Sequence, residues 1–165
     1  MNLLVLIIAY LLGAIPFGFI LSKYLHHVDI RDHGSGNIGA TNVLRVLGVK
    51  AALPVFILDF GKGLVAVLLA RLISDTEIIY LAAGLLAMVG HSYPIYLKFK
   101  GGKAAATGIG VLAALSGWVT IVLIILAGLI IYISRYVSLG SIVGALSVPV
   151  MFWLFGFSSH YVWFG

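Results

Sequence analysis

Long apolar runs alternate with short polar clusters along this chain. Residues 3–21, 51–70, 78–97 and 139–157 each approach the length of about 20 helical residues that crosses a bilayer core of about 30 Å. They predict membrane helices. Residues 104–133 form a further apolar stretch, too long for one upright helix and too short for two full spans with a generous loop. Ser116 and Gly117 near its middle offer a turn. Charge favours the split, because Lys and Arg in short loops mark the cytoplasmic side. With two short helices here, Lys23, Arg31, Arg45, Lys50, Lys98, Lys100, Lys103 and Arg135 share that side and only Arg71 is left outside. The expected fold is all-α: a polytopic membrane helix bundle of six spans, two of them short, with the amino terminus outside. Residues 1–165 read as a single membrane-embedded domain. The first run lacks a preceding basic residue and a following small-residue cleavage pattern, so it reads as a retained anchor.

Composition agrees with this pattern: 62% of residues are hydrophobic and 9% charged, with a mean hydropathy of +1.19. The spans leave no room for a separate aqueous domain. Cysteine is absent, which excludes a disulfide framework, a thiolate metal site and a cysteine nucleophile. The net charge of +5 is concentrated in three polar loops, residues 22–50, 98–103 and 134–138. Basic loops follow from the orientation rule alone, and they also attract anionic lipid headgroups. Loop sequence must therefore carry any case for chemistry.

The first loop contains "GSGNIGATN", residues 34–42. Gly34, Gly36 and Gly39 satisfy the dinucleotide pattern G-x-G-x-x-G formally, and Asp59 lies 20 residues beyond. A Rossmann turn must leave a strand of a parallel sheet, whereas here an apolar helix precedes it and Asp59 lies inside another span. Neither Gly61-Lys62 nor Gly102-Lys103 is followed by Ser or Thr, so there is no Walker motif. Glycines nevertheless let backbone N–H groups turn toward an anion. Ser35, Asn37, Thr41 and Asn42 add short donors, and Arg45 supplies a fork suited to phosphate. The alternative is a re-entrant turn capped by Asn and Ser.

The second loop, "KFKGGKAAATG" (residues 98–108), sets Gly101, Gly102 and Lys103 before an apolar helix opened by Ala104 to Thr107. A helix amino end carries roughly half a positive charge and free N–H groups, which suits a second anion. A glycine turn with Lys103 snorkelling to headgroups is the alternative. Inside the spans, Asp59 and Lys62 in "LDFGKG" share a helix face and can pair as a polar strut that positions the loops. His91 in "GHSYP" is a candidate base or phosphate donor, or a hydrogen-bonded interior residue. "SRYVSLGS" adds Arg135, Ser138 and Ser141.

"GSGNIGATNVLRVLG", "LDFGKG", "GHSYPIYLKFKGGKAAATG" and "SRYVSLGSI", in this order and over essentially the whole chain, resemble the bacterial acyl-phosphate:glycerol-3-phosphate acyltransferases, integral membrane enzymes that begin phospholipid synthesis. Two departures stand out. Ala104 occupies a position where the family usually has Gly, and the family continues with another span and a basic cytoplasmic tail, so the chain is expected to be truncated at its carboxyl end and to lack a seventh helix. The resemblance implies transfer of a fatty acyl group from acyl phosphate to the 1-hydroxyl of glycerol 3-phosphate, giving lysophosphatidic acid. It implies glycerol 3-phosphate at Ser35, Asn37, Asn42 and Arg45, and acyl phosphate at Gly101, Gly102, Lys103 and Thr107. Lys103, Ser141 and His91 are the implied catalytic residues, with the donor's own phosphate as an alternative proton acceptor to His91. No metal, cofactor or nucleic acid is implied; membrane lipids are, with the loops cytoplasmic at a bacterial plasma membrane. A transporter or channel for a phosphorylated metabolite is the other class that broken helices and basic loops suit, although no internal repeat is visible.

Overall fold

Pro16 sets the first architectural feature. A proline cannot continue a helix and biases the residue before it toward extended backbone; Ile15 is accordingly extended (φ −59°, ψ 116°) between α1 (Asn2–Ala14) and α2 (Phe17–His26). In this computed structural model, which describes residues 1–165, the predicted first span is thus a broken helix within an apolar stretch of 25 residues, Asn2–His26. The polar segment that follows is partly structured, with a 3-10 turn at Ile30–Asp32 and an eight-residue helix α3 (Ala40–Leu47). The second span is α4 (Val49–Ile73) and the third is α5 (Glu77–Ser92), extended by a 3-10 turn at Ile95–Leu97. Helix α6 (Ala105–Leu115) has 11 residues, a rise of roughly 16 Å, about half a bilayer core.

The chain forms two compact units, residues 1–111 and 112–165. In the first, helices meet through small residues. Val5, Ala9, Ala66, Ala70, Ala83 and Ala87 make one buried cluster on α1, α4 and α5. Gly13 lies against the Ala87 carbonyl, Gly63 against the Thr107 carbonyl and Gly110 against the Phe60 carbonyl, so close that a Cβ at any of the three would collide with backbone. In lipid, where burying apolar surface drives little association, such close backbone approach supplies the attraction. Large apolar residues, among them Ile57, Leu68 and Leu85, are left on the outside.

The second unit, from Leu112, includes the anticipated break at Ser116. Ser116 caps α7 (Gly117–Ser134), its Oγ accepting from the Val119 N–H at 3.4 Å. Helix α8 (Val137–Leu154) packs on α7, with Gly140 against the Ala127 carbonyl. At 18 residues α7 is long enough to cross, so α6 alone of the two helices is short. The chain therefore has five apolar stretches of spanning length plus one shorter apolar helix. The aromatic segment after α8 folds as α9 (Ser159–Phe164), where Phe152, Phe157 and Tyr161 form a ring cluster with centroids 5.0 to 5.3 Å apart.

Candidate active site

The glycine loop is built around Asn42, which is 2% exposed. Its Nδ2 donates to the carbonyls of Ile30 (3.1 Å), His33 (3.0 Å) and Asn37 (2.9 Å), and its Oδ1 accepts from the Ser35 N–H at 2.9 Å. Gly34 and Gly36 have φ of +62° and +69°, which glycine adopts without steric cost. A Cβ on Gly34 would also strike the Asn42 amide. Both amide hydrogens of Asn42 are therefore engaged by the loop, and its place is to shape the loop rather than to offer a donor to a ligand. Asn37 accepts from the Gly39 N–H at 2.8 Å through its Oδ1, leaving its own Nδ2 uncommitted. Ser35, Thr41 and Arg45 are exposed.

Basic residues near this loop fall into two groups. Asp29 holds Arg31 at 2.9 and 2.7 Å and Lys23 at 3.5 Å, and both cations also lie over the Phe19 ring. The Arg31 guanidinium keeps the Asp29 carboxyl well below the usual carboxylate range, and Asp29 in turn raises the Arg31 pKa. Arg45, Lys98, Lys100 and Lys103 have no carboxylate partner. Loop composition alone did not separate these groups; the signal was Asp29 two residues before Arg31.

The second loop folds back on the end of α5. The Gly101 N–H donates to the Ser92 carbonyl at 3.1 Å and the Gly102 N–H to the His91 carbonyl at 3.0 Å. Those two amides are thus engaged, so neither glycine presents its N–H to an anion as the sequence suggested. What they provide is space: a Cβ on Gly101 would strike the His91 carbonyl and Pro94, and one on Gly102 would strike the His91 imidazole at Nε2. The free donors come next. The first bond of α6 runs from Gly108 N–H to the Ala104 carbonyl at 2.7 Å, so the N–H groups of Lys103 to Thr107 precede the helical ladder. Lys103 is exposed at this end. Lys98, Phe99 and Ala104 have φ of +52°, +63° and +54°, unusual for residues with a Cβ.

The two loops are neighbours. Leu97, the residue before Lys98, packs on the cluster of Ile30, Ile38, Val43 and Val55 that underlies the first loop. Beside it lies an open apolar groove lined by Ile15, Pro16, Phe19, Ile20 and Leu97 among others.

The Thr107 and Ser141 hydroxyls have different surroundings. The Thr107 hydroxyl is fully buried without a hydrogen-bond partner and the residue faces Gly63 on α4, so only its N–H belongs to the amino end of α6. Ser141 lies in the second unit, where its hydroxyl donates to the Val137 carbonyl one turn back at 3.0 Å. Asp59 and Lys62 pair as anticipated, at 2.8 Å and almost fully buried. Sequence reasoning did not find that the same Asp59 oxygen lies 3.5 Å from His91 Nδ1, or that Lys62 Nζ also donates to the Ile15 carbonyl at 2.8 Å.

Known proteins resemble this chain over nearly its whole length. Glycerol-3-phosphate acyltransferases of Desulforamulus reducens and Carboxydothermus hydrogenoformans are 48% identical over 163 residues and 47% identical over 165 residues. The alignments cover 99% and 100% of this chain and 82% and 84% of those proteins. Two crystal structures of PlsY (YgiH), described as an integral membrane glycerol 3-phosphate acyltransferase, superpose with TM-scores of 0.93 for the glycerol 3-phosphate form and 0.90 for the lysophosphatidic acid form. They are 40% and 39% identical, covering 99% of this chain and 82% and 81% of theirs. The sequence model described as Glycerol-3-phosphate acyltransferase matches residues 3–165, and with that the chain belongs to the glycerol-3-phosphate acyltransferase family.

Proposed function

We propose that this protein transfers a fatty acyl group from an acyl phosphate to the 1-hydroxyl of glycerol 3-phosphate, on the cytoplasmic side of a bacterial plasma membrane. The observation that carries the reading is the neighbouring pair of loops. Each combines unengaged backbone N–H groups with a cation that no carboxylate neutralises, Arg45 in one and Lys103 in the other. A reaction between two phosphate-bearing substrates needs two such places. The glycerol 3-phosphate and lysophosphatidic acid forms of the PlsY structures support the acceptor and the product.

Glycerol 3-phosphate is assigned to Ser35, Asn37 and Arg45, on the loop that Asn42 shapes. The acyl phosphate is assigned to Lys103 and the amino end of α6, over the Gly101–Gly102 turn, with its chain in the apolar groove beside Leu97. The acceptor's hydroxyl oxygen bonds to the acyl carbonyl carbon, the bond from that carbon to the phosphate oxygen breaks, and the hydroxyl proton leaves with the phosphate. An acyl phosphate is a mixed anhydride whose phosphate departs readily, so no covalent enzyme intermediate is required. Protein catalysis then consists of holding the two substrates together and neutralising charge on the carbonyl oxygen and the departing phosphate.

The deciding experiment reconstitutes the purified protein in liposomes with labelled glycerol 3-phosphate and, in parallel, a long-chain acyl phosphate, the coenzyme A thioester and the acyl-carrier thioester. Labelled lysophosphatidate from the acyl phosphate alone is the expected result. Comparable product from a thioester overturns the donor assignment, and uptake of label without acylation overturns the enzyme.

A further inference from the structure

Three charged or titratable side chains are sealed inside the first unit: Asp59, Lys62 and His91, at 1%, 5% and 4% exposure. Removing them from water is costly, and an apolar trio of similar volume would be no less stable. Their contacts run in a line. Lys62 Nζ donates to the Ile15 carbonyl, which also accepts the Phe17 N–H at 3.1 Å across the helix break, and at 2.8 Å it meets Asp59 Oδ1 as well. That oxygen is 3.5 Å from His91 Nδ1, while the Nε2 edge of the same ring lies against the Cα of Gly102. The His91 carbonyl accepts the Gly102 N–H. At 3.5 Å the Asp59–His91 contact is not a hydrogen bond, and His91 Nδ1 is buried without a hydrogen-bond partner. The other nitrogen is covered by Gly102, which leaves the imidazole no open edge for a substrate.

We propose that Asp59, Lys62 and His91 form a buried positioning unit that anchors the Gly101–Gly102 turn, and through it Lys103 and the amino end of α6, to the helix break at Ile15–Pro16. The proposal deepens the reading above and rests on it: Lys103 and the start of α6 receive the acyl phosphate. His91 then acts through the turn as a positioning residue, not as the proton acceptor. The break it is tied to also lines the apolar groove, so the unit joins the groove assigned to the acyl chain to the loop assigned to its phosphate.

The test compares His91→Asn, whose Nδ2 falls near the place of the imidazole Nδ1, with His91→Leu, which fills the space and offers no polar atom. Hydrogen exchange of peptides spanning residues 99–104 is read together with kcat and KM for both substrates. We expect His91→Leu to lose protection in this turn and about 100-fold in kcat, the scale of a misplaced reacting group, with KM for glycerol 3-phosphate little changed. His91→Asn keeps the protection and stays within about tenfold of the parent, which a proton-transferring histidine would not allow. Should His91→Leu fail to fold, Asp59→Asn combined with Lys62→Met removes both charges together and makes the same prediction. Unchanged protection in these variants overturns the proposal, as does equal loss of kcat in His91→Asn and His91→Leu. Lost protection with full kcat leaves the anchor standing and overturns the assignment of Lys103 to the acyl phosphate.

Discussion

Asn42 Oδ1 accepts the Ser35 backbone N–H at 2.9 Å across seven residues of chain, so one buried side chain fixes the position of an exposed serine. Its amide nitrogen meanwhile serves three carbonyls. Asn42→Ala leaves these groups unpaired and is expected to cost about 2 kcal/mol of stability. Asn42→Asp, of nearly the same shape, turns an acceptor toward those carbonyls and should cost about 3 kcal/mol or more. Thermal unfolding in detergent checks the order; an Asp variant as stable as the parent would show that the loop does not depend on this amide.

Arg45 and Lys103 are exposed and carry no ion pair, so their removal should spare stability and affect turnover. Lys103→Ala is expected to raise the barrier by about 2.7 to 4 kcal/mol, the cost of one lost transition-state donor. Arg45→Lys retains charge but not the bidentate fork. It should raise KM for glycerol 3-phosphate about tenfold, equivalent to about 1.4 kcal/mol, with kcat nearly intact. Steady-state kinetics on both variants at matched folded protein tests the assignment, and an unchanged kcat for Lys103→Ala would refute it.

The spans and the turn at Ser116 were legible because a run of apolar residues has a length and a run of loop cations has a side. The helix break at Pro16 was not, since hydropathy averages over a proline whose neighbours stay apolar. At the site, residue types were readable but not their direction. Asn42 and Thr107 resemble ligand donors in sequence, yet one turns into its own loop and the other into α4. Gly101 and Gly102 read as an anion nest, whereas their lack of Cβ is required by the His91 ring and carbonyl beneath them. Contacts such as Asp59 to His91 depend on how helices pack, which no local pattern encodes.

Ala104 sits at φ +54° and is 4% exposed. Left-handed backbone costs a residue with a Cβ about 1 to 2 kcal/mol. Replacing it with Gly relieves that strain, but forfeits about 0.8 kcal/mol of methyl burial and about 0.5 to 1 kcal/mol of backbone entropy. Ala104→Gly should therefore lie within about 1 kcal/mol of the parent, while Ala104→Val, β-branched at positive φ, should be clearly destabilised. Equal unfolding temperatures for the Val variant and the parent would contradict this local geometry.

The Asp29 clamp on Lys23 and Arg31 carries a pH signature. Its folded-state pKa is depressed by the Arg31 hydrogen bond, so its contribution is fully present above the unfolded aspartate value of about 3.9 and is lost as pH falls through the lower folded value. Protease protection of the segment around residues 27–33 should be flat from neutral pH to about 4.5 and fall only below the ordinary aspartate range. Asp29→Asn should be less protected at neutral pH and show no such fall. A decline already between pH 7 and pH 5 would mean that another group governs the segment.

Orientation gives the last prediction. Arg45 on α3 precedes α4, and Lys98, Lys100 and Lys103 follow α5, whereas Arg71 in the last turn of α4 and Asp75 lie where those two helices connect. Both helical stretches are long enough to cross a bilayer, so the loops and the connection are expected on opposite sides, and the excess of lysine and arginine predicts that the loops face the cytoplasm. Because the chain contains no cysteine, single cysteines report without background. His33, Lys100 and Asp75 are all exposed and lie outside the residues assigned to either substrate. Cysteines at His33 and Lys100 should react with an impermeant maleimide only after the cytoplasmic side is opened, and a cysteine at Asp75 should react in intact cells. The reverse pattern would turn the protein over in the membrane and put the proposed phosphate loops where cytosolic glycerol 3-phosphate cannot reach them. Labelling of all three from one side would instead mean that neither α4 nor α5 crosses.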